Sequence, residues 1–386
     1  MGFDMIKPAI VVIAYDRADS LKRLLGSLDG AFYPKDCGVD LIISIDKGNN
    51  GDVIRESESF DWKYGEKRII KHETNLGLKA HVLECGDHVH EYGSLIMLED
   101  DLMVSGDFYN YVSAALEFTR DDEKVGGISL YDHLLNVHVR EPFYALDDGY
   151  DNYYLQFASS WGQAYTEKMW SGFRSWLKVM DGKDISGINM PENVSGWSEK
   201  SWLKYNIRYL IDKDMYFLYP RVSHTTNFYE AGEHSKEQLS DLQVPLQYGR
   251  KEGYRFSRIE GSRAVYDAFF ENISLTKTVN WLNCAENEDC IIDLYGSKKI
   301  DNTRNEKRAL SSQSLGYSVI KSFGRVLRPI EANIISEISG KDFFLYDLER
   351  TGTPPKTERV KKYLYNYRTI RVNEMIQIIK YRFKKR

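Results

Sequence analysis

Short apolar runs alternate with amphipathic segments through the first hundred residues of this chain. Apolar runs of this kind, bounded by polar residues, are typical of strands buried in a parallel sheet. The segments between them carry apolar residues at helical spacing. The sequence therefore predicts an α/β fold, with a Rossmann-like, mainly parallel sheet flanked by helices. The predicted strands are residues 9–14, 40–46, 68–71 and 95–98.

Three consecutive carboxylates, Glu99, Asp100 and Asp101, follow the fourth predicted strand, and we expect a helix-like segment after them. In open α/β sheets, ligands bind at the carboxyl ends of the strands. Adjacent carboxylates repel one another unless a cation lies among them, and Mg²⁺ and Mn²⁺ prefer oxygen ligands shared with phosphates. The triplet therefore predicts a metal-assisted site for a nucleotide diphosphate compound. The alternative is an acidic loop after a strand.

The composition and the missing motifs narrow the class of protein. A chain of 386 residues, 42% hydrophobic and 28% charged, suits one large domain with an appendage, or two domains. The N-terminus lacks an apolar run long enough for a signal peptide or a membrane span, so we expect a cytoplasmic protein. The four cysteines form no disulfide or zinc pattern. Neither G-x-G-x-x-G nor a P-loop occurs, so side chains and a metal would hold any nucleotide.

Positive charge is concentrated at the C-terminal end. Residues 356–386 contain eleven Lys or Arg and two Glu, a net charge of +9. Since the whole chain has a net charge of −5, the rest of the chain carries −14. Apolar residues lie between these charges, as in interfacial amphipathic helices, so we predict docking on an anionic membrane surface. Contact with RNA or with another subunit is the alternative. Because no RNA-binding module is present, we expect no nucleic-acid partner.

In their order and spacing, the motifs resemble glycosyltransferases of the GT-A fold. The likeness covers residues 7 to 236, and it is to the Golgi N-acetylglucosaminyltransferases that start complex N-glycans and to bacterial family-2-like transferases of capsule and lipopolysaccharide synthesis. It implies a GT-A domain over residues 1–250, a C-terminal helical extension of undetermined fold over 251–355 and a basic amphipathic tail over 356–386. The motifs are residues 14–17, 43–48, 98–102, 160–162, 197–202 and 219–235.

The resemblance implies a donor site that binds a UDP-sugar with Mn²⁺ or Mg²⁺. Asp101 would bind the metal, while Glu99 and Asp100 would contact the ribose or the sugar, or orient metal-bound water. Asp46, two positions after Ser44, would accept the imide N–H of uracil. The alternatives are an acidic loop and, for Asp46, an ordinary turn.

Further residues around the same pocket follow from the resemblance. Arg17, beside Asp16 at the exit of the first strand, would hold a phosphate, although an ion pair between the two is the alternative. His81 would face the nucleotide, unless it is an exposed helical histidine. His234 would close over the diphosphate or the metal. Trp161 can stack on a sugar, although packing in a core is the commoner fate of tryptophan.

Glu199 is the predicted catalytic base, because sugar transfer with inversion needs a carboxylate to take the acceptor proton. The family pattern is W-D-x-x-W, and Glu199 lies three residues before Trp202. The acid here is Glu, and its spacing from Trp197 is one residue longer than the pattern. An ordinary acid in the first turn of a helix is the alternative. Three further acids are fallback candidates, Asp147, Asp148 and Asp151.

The sequence thus predicts a metal-dependent, inverting glycosyltransferase of bacterial surface glycan synthesis. Its donor would be a UDP-sugar, and its acceptor a polysaccharide or a lipid-linked glycan. We expect it in the cytoplasm, peripheral on the inner face of the cell membrane. Two alternatives stay open, a non-catalytic protein that binds nucleotide sugars or scaffolds a synthase complex, and a sugar-phosphate nucleotidyltransferase. The second should carry a Gly-rich loop after the first strand, which residues 15–19 do not match.

Overall fold

The computed structural model describes residues 6–35, 38–228, 242–279, 290–301 and 305–356, together with Ile376 and Lys380. The chain divides into two compact units, one of residues 1–278 with 297–299 and one of residues 279–296 with 300–386. The first unit extends past the predicted boundary at residue 250. Its last sheet strand lies at Val265–Tyr266.

The first unit is built around one large mixed sheet. Its strands are β1 (Ala9–Ala14), β2 (Leu41–Ile45), β3 (Lys67–Lys71), β4 (Ser94–Glu99), β5 (Leu102–Val104), β6 (Val125–Ser129), β7 (Leu135–Asn136), β8 (Glu141–Pro142), β9 (Asn152–Leu155), β10 (Gln163–Thr166), β11 (Tyr216–Pro220), β12 (Thr225–Asn227) and β13 (Val265–Tyr266). Nine of them form the sheet in the order β13-β9-β11-β6-β10-β4-β1-β2-β3. Five of the eight neighbouring pairs are parallel, so the predicted α/β fold with a mainly parallel sheet is confirmed.

The described part of the first unit contains nine α-helices. They are α1 (Ala18–Asp29), α2 (Gly51–Ser59), α3 (Leu78–Asp87), α4 (Val89–Tyr92), α5 (Phe108–Phe118), α6 (Glu167–Met180), α7 (Glu192–Ser195), α8 (Trp202–Lys213) and α9 (Leu275–Thr278), with a 3₁₀ turn at Ile259–Gly261. The four leucines of α1 at positions 21, 24, 25 and 28 are all buried. The side chain of Ser201 accepts a hydrogen bond from the backbone N–H of Lys204, which caps α8.

The pairing of β1 aligns the strand ends that form the site. All six residues of β1 are buried, and β1 pairs in parallel with β2 on one side and with β4 on the other. The carboxyl ends of these three strands therefore lie at one edge of the sheet. The residues directly after Glu99 form the short strand β5, which pairs with β12, and α5 begins only at Phe108. The helix-like segment predicted there thus starts later than expected.

The second unit contains a smaller sheet. Its elements are β14 (Cys290–Asp293), β15 (Arg308–Ser311), β16 (Tyr317–Phe323), α10 (Ala332–Ile335) and β17 (Phe343–Thr351), and its strand order is β14-β15-β17-β16. The expected C-terminal helical extension is therefore a β structure over its described residues. The physical reason is the continuous burial of residues 343–346, which suits a strand covered on both faces. Within the described ranges, no helix combines the length and the apolar character that a membrane crossing requires.

Two helical glycines provide a matched test of the packing between helices α3 and α6. A Cβ atom at Gly86 of α3 would overlap the indole ring of Trp170, whereas one at Gly26 of α1 would meet open space. We expect Gly86→Ala to lower the free energy of unfolding by about 1–3 kcal/mol, because a packed core must shift. Gly26→Ala should raise it by about 0.5–1 kcal/mol through helix propensity. Urea unfolding monitored by circular dichroism measures both, and equal effects would contradict the packing described here.

Candidate functional site

The carboxyl edge of the large sheet gathers side chains from distant parts of the sequence. Residues 15–17 leave β1, Asp46 leaves β2 and the carboxylate triplet leaves β4. Strand β10 runs antiparallel to its neighbours β4 and β6, so it begins at this edge, and β6 ends there. The segments after the parallel strands thus converge as the sequence predicts.

Arg17 supplies a cation to the carboxylate triplet. One terminal nitrogen of its guanidinium donates to Asp100, and the other donates to Oδ2 of Asp101 at 2.9 Å. The backbone N–H of Tyr15 donates to the second oxygen of Asp100 at 3.2 Å. Burial nevertheless raises the pKa of Asp100 to about 6, and burial beside two acids raises the pKa of Glu99 to about 8. The predicted repulsion among the three acids is therefore relieved in part by an arginine of the chain itself.

Asp101 keeps one oxygen available for a cation. Its Oδ1 atom is buried and has no hydrogen-bond partner within the described part of the chain, although buried carboxylate oxygens are normally satisfied. No group of three or more His, Cys, Asp or Glu side chains in the described part of the chain is arranged as a metal site. Mg²⁺ and Mn²⁺ are often held by one or two carboxylates, with waters and substrate phosphates as the remaining ligands. Asp101 therefore fits a divalent cation that is completed by a bound diphosphate.

Asp46 joins the exit of β2 to the start of α3. Its Oδ1 accepts the backbone N–H groups of Lys47 and Leu76, each at 2.8 Å, and its Oδ2 accepts that of Gly77 at 3.0 Å. These three bonds explain how a carboxylate can be buried at this position. They give Asp46 a structural role, and its contact with uracil stays a prediction.

Ser44 lies between two imidazole rings. Its hydroxyl is 2.8 Å from Nε2 of His81 and 3.1 Å from Nε2 of His72. Burial lowers the pKa of His81 to about 4, so this ring is neutral at pH 7. The sequence analysis brought Ser44 and His81 to one pocket but missed His72. His72 directly follows β3, and β3 pairs with β2, the strand that carries Ser44. This position was the sequence signal that could have placed His72 in the same pocket.

Glu199 lies beside α3, but its carboxylate is engaged. One oxygen accepts from Nζ of Lys204 at 2.5 Å, and the other accepts from the hydroxyl of Tyr205. The ammonium of Lys79 donates to the backbone carbonyl of Glu199 at 3.3 Å. The hydrogen bonds from Lys204 and Tyr205 lower the pKa of Glu199, and a lower pKa makes a weaker base. The exposed Glu199 therefore stays a predicted base whose contacts disfavour that role.

The other predicted acids and His234 are distributed differently. Asp148 forms a buried ion pair with Arg221 at 2.8 Å, and Asp151 pairs with Lys251 at 2.5 Å. Oδ1 of Asp147 accepts the N–H of Gly149 in its own loop, and Asp16 is exposed after β1. His234 lies outside the described residues.

Asp132, just beyond the carboxyl end of β6, was missed by the sequence analysis. Its carboxyl is buried, Oδ1 accepts from the hydroxyl of Tyr153 at 3.0 Å, and burial raises its pKa to about 8. The neighbouring His133 is buried, its Nε2 has no hydrogen-bond partner among the residues that the structure describes, and burial lowers its pKa to about 3. The ring of Trp161 lies 4.7 Å from that of Tyr131 and 5.8 Å from that of His133. The available signal was an acid that closely follows an uncharged run, residues 126–130.

Comparisons with known proteins give only distant likenesses. No protein-family model matches the sequence, and no curated protein matches it. Among solved structures, the chain is similar to the mannosyltransferase PcManGT from Pyrobaculum calidifontis in complex with GDP-Man and Mn²⁺, at 13% identity, over 49% of this chain and 51% of that chain, with a TM-score of 0.30. It is also similar to S. aureus TarS 1-349 in complex with UDP-GlcNAc, at 13% identity, over 58% of this chain and 60% of that chain, with a TM-score of 0.38. The chain thus spans between half and three-fifths of these structures, and likenesses this distant identify neither a reaction nor a ligand for it.

The ion pairs of Arg17 generate a stability prediction. Arg17→Met leaves Asp100 buried without its cation, and we expect a loss of about 1–3 kcal/mol in the free energy of unfolding at pH 7. The matched control is Arg68→Met, which removes an exposed ion pair with Glu91 and should cost less than about 0.5 kcal/mol. Adding Asp100→Asn to Arg17→Met should recover part of the loss. Equal losses in the two single variants by chemical denaturation would contradict this account.

Proposed function

We propose that this chain is a metal-dependent, inverting glycosyltransferase of the GT-A fold with a UDP-sugar donor. The observation that carries the proposal is the buried Oδ1 atom of Asp101, which no described residue hydrogen-bonds, at the carboxyl end of a central strand and beside an arginine. An oxygen in this environment suits a cation, and the guanidinium suits a phosphate.

The donor would replace the present partners of Arg17. The oxygens of a diphosphate can accept two hydrogen bonds from one guanidinium, as Asp100 and Asp101 now do. Arg17 can therefore exchange one anion for another. A divalent cation bound by Asp101 would neutralise the charge that develops on the departing diphosphate. Asp101 would thereby change from an ion-pair partner into a metal ligand when the donor binds.

The nucleobase would lie toward the ends of β2 and β3. Oδ2 of Asp46 accepts a single hydrogen bond, that from Gly77, and a carboxylate oxygen has room for a second donor such as the imide N–H of uracil. His81 is neutral and already bonded to Ser44, so it can offer an uncharged ring to a base. These two contacts would favour uracil over bases without an imide N–H.

The proposed acceptor is a growing surface polysaccharide or its lipid-linked precursor in a bacterium. Inversion requires in-line attack by an acceptor hydroxyl and a carboxylate that takes its proton. Glu199 is the sequence-predicted candidate. Both of its carboxylate oxygens are hydrogen-bonded within the chain. This observation favours a second possible function, that of a non-catalytic protein that binds nucleotide sugars.

Thermal denaturation with UDP, GDP, CDP and ADP, each with and without Mn²⁺, tests the donor site. A ligand that binds only the folded state raises the melting temperature, by an amount that grows with its concentration relative to Kd. We expect a shift with UDP that requires Mn²⁺ and that is lost in Asp101→Asn. The matched control is Asp61→Asn, which changes an exposed carboxylate in the loop between α2 and β3, at the opposite edge of the sheet.

The outcomes separate the possible functions. A Mn²⁺-dependent rise in melting temperature with another nucleotide would support the proposed site and would show that the donor carries that nucleotide instead of UDP. A shift with UDP that survives in Asp101→Asn would remove the metal role from Asp101. If none of the four nucleotides shifts the wild-type melting temperature, the proposed donor site is wrong.

We further propose that residues 356–386 bind an anionic membrane surface, where a lipid-linked acceptor would be found. Apart from Lys356, Ile376 and Lys380, these residues lie outside the described part of the chain, so the proposal depends on their net charge of +9 and their apolar residues. We expect the full chain to sediment with vesicles that contain phosphatidylglycerol, and less so as salt is raised. A version that ends at Pro355 should stay in the supernatant. Equal partitioning of the two, with vesicles of neutral lipid as the control, would refute membrane binding by this tail.

A further inference from the structure

Asp132 and its neighbours form a second polar site at the carboxyl edge, beside the proposed donor site. We propose that Asp132 takes the proton of the acceptor hydroxyl and that the acceptor is a pyranose held against Trp161 and His133. This assignment depends on the proposed glycosyl transfer and names its base and the chemical class of its acceptor.

The register of the sheet sets the position of Asp132 relative to the triplet. Gln163 of β10 pairs with Met97 of β4 on one side and with Ser129 of β6 on the other. Neighbouring strands lie about 4.8 Å apart, so β4 and β6 are about 10 Å apart. Asp101 follows Met97 by four positions, and Asp132 follows Ser129 by three. The two acids therefore leave the same edge of the sheet from strands that are separated by β10, and Trp161 lies two positions before the start of β10.

The surroundings of Asp132 suit a proton acceptor. Its Oδ1 is bonded to Tyr153, while its Oδ2 accepts no hydrogen bond from any described residue. Burial raises its pKa to about 8, and the hydrogen bond from Tyr153 and the charge of Arg221 oppose this rise. A base with a pKa near the working pH combines a useful ionised fraction with a strong affinity for the proton. Glu199 differs on both counts, because its two oxygens are bonded and its pKa is lowered.

Trp161 supplies the accessible part of a surface for a sugar, and the rings of Tyr131 and His133 are buried beside it. Trp161 is partly exposed, in contact with Tyr131 and His133, and an indole face can pack against the C–H face of a pyranose. Nε2 of His133 is buried and has no hydrogen-bond partner among the described residues, and a hydroxyl of the same sugar would satisfy it. A pyranose presents both an apolar C–H face and hydroxyl groups, so it matches an indole face beside a polar atom that needs a partner.

The transfer step balances with this assignment. The O–H bond of the acceptor breaks, and its proton passes to the carboxylate of Asp132. The acceptor oxygen forms a bond to the anomeric carbon, while the bond from that carbon to the diphosphate oxygen breaks and its electron pair leaves with UDP. No oxidant or further reactant is required, and the protonated Asp132 returns its proton to solvent.

The test measures UDP release from UDP-GlcNAc and from UDP-glucose in the presence of a panel of methyl pyranosides, with Mn²⁺. We expect Asp132→Asn to lower kcat by at least about 100-fold, as for the loss of a general base. The change is isosteric, so UDP binding and the melting temperature should stay at the wild-type values. Glu199→Gln should lose much less activity, and Asp61→Asn should match the wild type.

A pH profile separates a base from a structural carboxyl. The groups that face or electrostatically influence Asp132 are Tyr111, Tyr131, His133, Tyr153, Tyr219 and Arg221. Because Asp132 must be ionised to accept a proton, kcat/KM of the wild type should rise with pH and level off above about pH 8. Tyr153→Phe removes a hydrogen bond that stabilises the carboxylate, so its rising limb should move to higher pH. The residual activity of Asp132→Asn should lack this limb.

Each outcome decides the assignment. Wild-type kcat in Asp132→Asn, or a larger loss in Glu199→Gln than in Asp132→Asn, overturns it and leaves the glycosyltransferase proposal intact. A wild-type protein that binds no UDP and releases none overturns both. If Asp132→Asn does not fold, the pH profile of Tyr153→Phe is the test. A rise of kcat/KM at the same pH as in the wild type refutes the role of Asp132, and a rise at higher pH supports it.

Discussion

The parallel pairing of β1 with β2 and β4 is the constraint on which the rest of the site depends. Every residue of β1 is buried, so a slip of one position along either neighbour would turn its apolar side chains to the opposite face and break the packing on both. The fixed register places the exits of three strands at one edge. A donor site built from short, separate segments is possible only because this core holds those segments in place.

Hydrophobic periodicity accounts for what the sequence could predict. The runs at 9–14, 40–46, 68–71 and 95–98 became strands close to the predicted bounds, because an apolar run has few alternatives to burial in a sheet. The same signal predicted no strand at residues 308–311, which form β15. That strand is short and begins with a charged residue, and its identity depends on pairing with β17, which lies more than thirty residues further along the chain.

The partners of the site residues were harder to predict than their positions. The triplet was expected to require a cation, but nothing in the local sequence shows that Arg17, more than eighty positions away, supplies one. Glu199 was predicted as the base from its spacing to Trp202. That spacing does not indicate that Lys204 and Tyr205 hydrogen-bond both of its carboxylate oxygens. Asp132 has no motif at all and emerges from the register between β6, β10 and β4. Long-range contacts, and not local patterns, decide which acids are available for chemistry.

Two carboxylates at one edge differ in chemistry because their surroundings differ. Asp101 lies beside a guanidinium, and its Oδ1 atom has no hydrogen-bond partner among the described residues, an environment that suits the binding of a cation. Asp132 lies among a tyrosine hydroxyl and aromatic rings, where burial favours the protonated form. The first environment suits a residue that holds a cation, and the second suits a residue that exchanges a proton. In the proposed reaction, the same sheet edge would hold an anionic leaving group through one carboxylate and activate a neutral hydroxyl through the other, because the two carboxylates follow separate strands.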